Sequence, residues 1–445
     1  MVTVKTYMRR QIFRLAWPVI LEMSGIMLVS ILVTVMVGSF GAIPLAAVGL
    51  ATMVQFSSAM IFAAAGTGAA AIVARETGAG NWAEVRTVTG QALMLGIAAG
   101  VILAVLGRLA AKPVFLLIGA DPAVGELATG LLEIMFWFTP FYLVMAIGNA
   151  VLRGMGLTRP AFLITTASNI LALIVSYMLI FGRGVPAFGP YGAMWGTVVS
   201  QLAGGLMVLA VLTRNQRIRL GPQLVFSYRP AVVARIVAIS LPAALEQTAM
   251  QGGRIAFTFM LAGIGAVQFA AHQIAVQAES LSFMPGFGFS VAAMTLTGIH
   301  LGKGLPHRAE QYVWLTNNIA LWSMTAMSVI FIVFSRQITG LFIEDPAVVQ
   351  WGAVCVAIAA LEQPTIAITY VLGGALRGAG DTRWPMYVTA TGIWLLRIPL
   401  VYLFIVVWGW DITVAWFVTA ADFLVRSAVL WRRFSSGHWQ KLKNP

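Results

Sequence analysis

Apolar residues in this chain run in long blocks separated by short polar or glycine-rich breaks. The blocks lack the strict alternation of a membrane β-barrel. Most reach about 20 residues, enough to cross a bilayer core of about 30 Å as a helix. The pattern predicts twelve helices. Six fall near 11–38, 44–74, 84–107, 123–152, 158–182 and 191–213. Six more fall near 235–263, 268–298, 309–335, 347–376, 382–407 and 411–433.

The second six repeat the first. Pro18-Val19-Ile20-Leu21-Glu22 returns as Pro242-Ala243-Ala244-Leu245-Glu246, a shift of 224. Asp121-Pro122-Ala123-Val124 returns as Asp345-Pro346-Ala347-Val348 at the same shift. So does Leu152-Arg153-Gly154, as Leu376-Arg377-Gly378. No gap is needed, so the halves share length and element order. An even number of crossings per half makes the repeats parallel. The expected division is an N-lobe at 1–213, a polar, basic linker at 214–234, a C-lobe at 235–433 and a basic tail at 434–445. The fold class is an all-α polytopic membrane protein with two pseudo-symmetric six-helix lobes.

Composition agrees. The 445 residues are 60% hydrophobic and 10% charged, with mean hydropathy +0.88, whereas a soluble domain is roughly a quarter charged. A net charge of +13 raises the question of nucleic acid. Its placement answers no, because the basic residues cluster at helix ends. Lys5, Arg9, Arg10 and Arg14 open the chain, Arg214, Arg217, Arg219, Arg229 and Arg235 mark its middle, and Arg432, Arg433, Lys441 and Lys443 close it. Placing these inside leaves only Arg108, Lys112, Arg183 and Arg336 outside, with Arg254 and Arg397 inside helices. This bias predicts that both termini are cytoplasmic. The single cysteine, Cys355, excludes an intrachain disulfide. The first apolar stretch reads as a retained helix rather than a cleavable signal.

Catalytic signatures are absent. Gly302-Lys303-Gly304 lacks the upstream glycine of a phosphate loop, and no cysteine–histidine cluster offers a metal site. No nucleophile–base pair stands out. The expectation is a non-enzyme without a cofactor, so any work must draw on an ion gradient.

The informative residues are ionisable groups inside helices, where a charge costs a few kcal/mol and usually faces an interior. On helix 8, Gln268, His272, Glu279 and Ser282 share one side, with Gln273, Gln277 and Ser280 beside them. Two roles fit Glu279: a buried hydrogen bond that locks helices, or a cavity wall that takes a proton or holds a cation. Glu246 and its repeat mate Glu22 each follow a proline by one turn, so a structural or a transport role fits both. The helix of Glu246 also carries Gln251 and Arg254. Arg254 should pair with an acid; Arg397, followed by Pro399, stays unassigned. Pro18 with Pro242, Pro140 with Pro364, and Pro285 mark kinks or hinges. Asp345 and Asp381 suit turns or helix N-caps.

These residues carry a resemblance. Gly374-Ala375-Leu376-Arg377-Gly378-Ala379-Gly380-Asp381-Thr382-Arg383 and its partner after helix 4 resemble the MATE (multidrug and toxic compound extrusion) transporters. So do Pro18 to Leu21, Val35-Met36-Val37-Gly38, Ala270-Ala271-His272-Gln273-Ile274 and Gly192-Ala193. The resemblance covers almost the whole chain. It implies a bacterial inner-membrane antiporter that exports amphipathic or cationic compounds in exchange for H⁺ or Na⁺. The departures matter too. An aspartate that family members often carry in helix 1 matches Val33. An Asn and Asp pair in helix 5 matches Ala172 and Ser176, and an acid in helix 10 matches Ile366. Thr197, which belongs with that cluster, is present. Ion coupling is therefore expected in the C-lobe, at Glu279 first and Glu246 second, with His272 near by. Glu22, Arg254, Gln251, Gln277, Thr34 and Thr197 complete the candidate set. Trp137, Phe138, Tyr142, Met250, Phe283 and Met284 are candidate cavity residues, because aromatics attract cations and Met adapts to varied shapes. A monomer in the bilayer is expected. A flippase for a lipid-linked precursor is the alternative; it would need a basic cavity for a diphosphate. A non-transporting scaffold is the third option, and the polar helices 7 and 8 speak against it.

Overall fold

A computed structural model describes residues 2–442, so the last residues of the basic tail, Lys443 among them, lie outside it. Among the described residues the regular structure is helical throughout. The helices, numbered in order, are α1 Val2–Gly38, α2 Ala42–Ala79, α3 Trp82–Leu117, α4 Pro122–Trp137 with Thr139–Gly154, α5 Thr158–Phe181 and α6 Pro190–Arg214. Then come α7 Pro230–Ala262, α8 Ala266–Gly302, α9 Pro306–Gly340, α10 Pro346–Gly378, α11 Arg383–Val407 and α12 Ile412–Ser435. Eleven are long and apolar enough to cross a membrane, and α4, bent by 55° at its break, makes a twelfth. The predicted twelve helices are therefore present, several longer than their apolar cores.

The chain forms two compact units. One holds α1 up to Ile20 and everything from Leu245 on; the other is Leu21–Ala244. The divisions fall inside α1 and α7, two residues after Pro18 and Pro242, and not in the 214–234 segment. At 1.5 Å per residue, helices of 37 and 33 residues run about 55 and about 50 Å, so each can serve two cores. Ile12 and Ala16 of α1 join the core of Phe289, Ala292 and Leu296. Their repeat mates on α7 do the same in the other unit: Ile236 joins the core of Ala69, Val73 and Leu93, and the Ser240 hydroxyl donates to the Ala65 carbonyl (3.2 Å).

The 214–234 segment is packed rather than loose. It contains a short helix, Pro222–Phe226, with Val225 buried. Gln91 of α3 donates to the carbonyls of Leu224 (3.1 Å) and Ser227 (2.7 Å) and accepts from the Arg229 amide (2.8 Å). Gly90 lets the segment close in, because a Cβ there would stand 2.3 Å from the Leu224 carbonyl oxygen. Of the two predicted caps, Asp345 is one: it accepts from the amide of Ala347 (2.8 Å), and its repeat mate Asp121 does the same for Ala123 (2.9 Å). Asp381 does not cap. Its carboxylate is held by Arg433 (2.8 Å), a charge partner stronger than a backbone amide.

Candidate ion-coupling site

The site lies between α8 and α10, helices that press together three turns further along. Small residues make the approach possible. A Cβ on Gly374 would meet the Ser290 carbonyl at 2.4 Å, and one on Gly378 would meet that of Met294 at 2.2 Å. The glycines of the Gly374–Arg383 motif are thus packing residues. Along α8 the predicted face is buried: His272, Glu279 and Ser282 turn inward, while Gln273 and Gln277 are exposed. One turn beyond Glu279, Phe283 stacks on Tyr370 of α10, with centroids 6.1 Å apart.

Glu279 faces a second acid. Its carboxyl lies within hydrogen-bonding reach of Glu362, a fully buried residue of α10. Neither Glu362 oxygen, nor Oε1 of Glu279, receives a hydrogen bond from a described residue. Two carboxylates have no proton to offer each other. Their contact becomes favourable only when a proton or another cation sits between them.

Positive charge comes from α11 and α12. Arg397 donates through Nε to the buried Asp422 carboxylate (2.9 Å). Arg426 donates to the same carboxylate from the turn below (2.7 Å). Arg397 attracts both Glu279 and Glu362, and Asp422 repels Glu362. Local backbone geometry serves this bridge. Pro399 has no N–H and crowds the carbonyl one turn earlier, and α11 relaxes into π-helical turns at Gly392–Arg397 and Tyr402–Val407. Gly392 must lack a side chain, since a Cβ there would stand 2.4 Å from the Asp422 carboxylate.

Glu22 and Glu246 sit elsewhere, in matched ion pairs. Arg153 donates to Glu22 (3.0 Å) and Thr165 adds a second bond (2.8 Å). Arg377 donates to Glu246 (2.7 Å) and Thr389 adds a second (3.0 Å). Every member of one set lies 224 positions from its mate in the other.

The remaining candidates scatter. His272 is buried among Phe257, Phe269 and Trp416, with centroids 5.6–6.4 Å away. Arg254 is exposed and joins no ion pair among the described residues. Thr34 and Thr197 bond only their own helices, at Ser30 and Ala193. Gln251 and Met284 are half-buried, and Met250 is exposed. Trp137 is exposed under Arg108, Phe138 packs edge-on against Trp195, and Tyr142 is half-buried. Glu362, Asp422 and Arg426 escaped the sequence reading. The available signal was an acid inside an apolar run, and for Asp422 and Arg426 an i, i+4 charge pair on one helix.

The MatE family profile matches residues 18–178 and 242–403, two stretches whose starts are again 224 apart. The probable multidrug resistance protein NorM of Thermotoga maritima is 30% identical, over 97% of this chain and 93% of its own length. The multidrug resistance protein MdtK of Yersinia pestis is 27% identical, over 88% of this chain and 87% of its own. The chain belongs to the MatE family. A solved outward-facing MATE transporter of the MOP superfamily shares the fold, with a TM-score of 0.90 at 21% identity, covering 98% of this chain and 97% of that one. The Pyrococcus furiosus MOP-superfamily transporter matches equally, with a TM-score of 0.90, 21% identity, and 98% and 97% covered. As a MATE transporter the protein is multi-pass and transmembrane. Its positions matching the expected N-lobe acids hold Val33, Ala172 and Ser176, and Ser176 donates only to the Ala193 carbonyl (3.5 Å). The Ile366 position is core, and the α10 acid stands one turn earlier at Glu362.

Proposed function

We propose that this MATE transporter is a secondary active antiporter for multidrug efflux, in which the Glu279–Glu362 pair trades a proton or sodium ion for an amphipathic or cationic substrate. The observation that carries this reading is the pair itself: two buried carboxyls side by side, with Glu362 receiving no hydrogen bond from a described residue. The missing donor favours a proton, which supplies the hydrogen bond as it arrives. The names of the Thermotoga maritima and Yersinia pestis relatives support the substrate class. The flippase alternative gains nothing here, since acids outnumber guanidinium groups in the cluster. Glu246 and Glu22 act as structural clasps in this reading, and His272 as a packing residue. The protein works as a monomer in a bacterial inner membrane with both termini cytoplasmic.

The test is ethidium efflux from inverted vesicles with the proton and sodium gradients collapsed separately. Efflux should stop with one of the two collapses. Efflux indifferent to both refutes antiport.

A further inference from the structure

The acid pair is not alone in its unit, and the groups around it have a countable charge. From α8 comes Glu279; from α10, Glu362 and Tyr370; from α11, Arg397; from α12, Asp422 and Arg426. Further along lie Glu246 and Arg377, which neutralise each other in a 2.7 Å ion pair. That leaves three carboxyls facing two guanidinium groups, one negative charge in excess. Asp422 is fully buried and Arg426 nearly so, so bulk water cannot screen the imbalance.

We infer that the Arg397–Asp422–Arg426 bridge sets the charge taken up at Glu279 and Glu362 to one per transport cycle. The inference rests on the antiport reading and deepens it. With one proton or monovalent cation bound the cluster is neutral, and without it the cluster holds one negative charge, which a singly charged cationic substrate can offset in turn. Asp422 is the governing member. It occupies both arginines, and without it their full charge would fall on the acid pair and hold both carboxylates ionised with no further cation. The three bridge residues are positioning residues: they act on the exchanged ion through the acids. A merely structural bridge makes a different prediction, because then only fold stability depends on it.

The test measures ions released per ethidium bound by the full-length purified protein, using a pH indicator in weak buffer and a sodium electrode. Wild type should release one. Asp422→Asn leaves two acids against two arginines and should release close to none. Arg397→Gln leaves an excess of two and should hold two ions before ethidium arrives, where wild type holds one, as should Arg426→Gln; ethidium then displaces one of the two. The double variant Asp422→Asn with Arg397→Gln restores an excess of one and should recover release to within about twofold of wild type. Wild-type protein that binds ethidium and releases nothing overturns the antiport reading itself. Wild type releasing one while Asp422→Asn also releases one, or while the double variant stays as silent as Asp422→Asn, overturns the bridge. If Asp422→Asn does not fold, Arg426→Gln decides alone: uptake of only one ion before ethidium is added, as in wild type, overturns the inference.

Discussion

The two halves of this chain have the same frame and different interiors. The clasp in each is built from the same residues at the same shift, Glu22–Arg153–Thr165 in one and Glu246–Arg377–Thr389 in the other. The charge cluster is not shared. Stepping back 224 positions from Glu279, Glu362, Arg397, Asp422 and Arg426 lands on Gln55, Phe138, Leu173, Val198 and Leu202, none of them charged. Backbone follows chemistry. Where Glu362 rides a continuous α10 through Pro364, Phe138 sits at the 55° break of α4. Where α11 widens into π-helical turns beside the bridge, α5 is regular α-helix. A duplicated scaffold can thus keep the ion pairs that hold its helices and confine the costly charges to one side. An unpaired charge in a membrane is affordable only where it is used.

The largest effect expected from this comparison concerns the acids. Glu279→Gln and Glu362→Gln should each reduce ethidium efflux and drug-dependent growth protection to the empty-vector level while membrane expression persists. Gln55→Leu, at the matching position, should leave efflux at half of wild type or better. Equal losses in both halves would erase the proposed asymmetry.

The clasps come next. Glu22→Gln or Glu246→Gln removes the charge of the buried member of each ion pair, at a cost of about 3 kcal/mol. Thermal unfolding in detergent should show similar drops for the two. A large drop for only one would mean that the repeats are held differently.

Gly90→Ala asks whether the linker is part of the first unit. The added Cβ collides with the Leu224 carbonyl, and overpacking of this kind costs about 2 kcal/mol. Proteolysis of residues 214–234 should accelerate; an unchanged rate would show that the segment is not docked in the membrane. The matching position in the other half is Trp314, so no equivalent docking is expected there.

Smallest is the hydroxyl term. Thr165→Val and Thr389→Val each remove one bond to a carboxylate, worth about 1.5 kcal/mol. Thr165→Val also removes the acceptor of the buried Asn149 amide (3.0 Å), so its melting shift should be the larger of the two, and that of Thr389→Val should be smaller than those from the glutamates.

Much of this molecule was legible in its letters. Long apolar blocks leave the backbone no choice but helix in a bilayer, because each helix satisfies its own hydrogen bonds. A repeat at constant shift fixes element order before any coordinate is known. The buried face of α8 followed from spacing alone, and the cap at Asp345, which is local, was legible too. The partners were not legible. Glu279 meets Glu362 across 83 residues, and Arg397 meets Asp422 across a helix break; Gly374 and Gly378 draw α8 and α10 together three turns away, and Gly392 leaves room for the Asp422 carboxylate. The exchange of α1 and α7 between units was equally hidden, since an apolar helix reads the same whichever core receives it. Periodicity reports which side of a helix avoids lipid. Only the packed structure decides which charge it finds there, because that depends on distances between segments far apart in the chain.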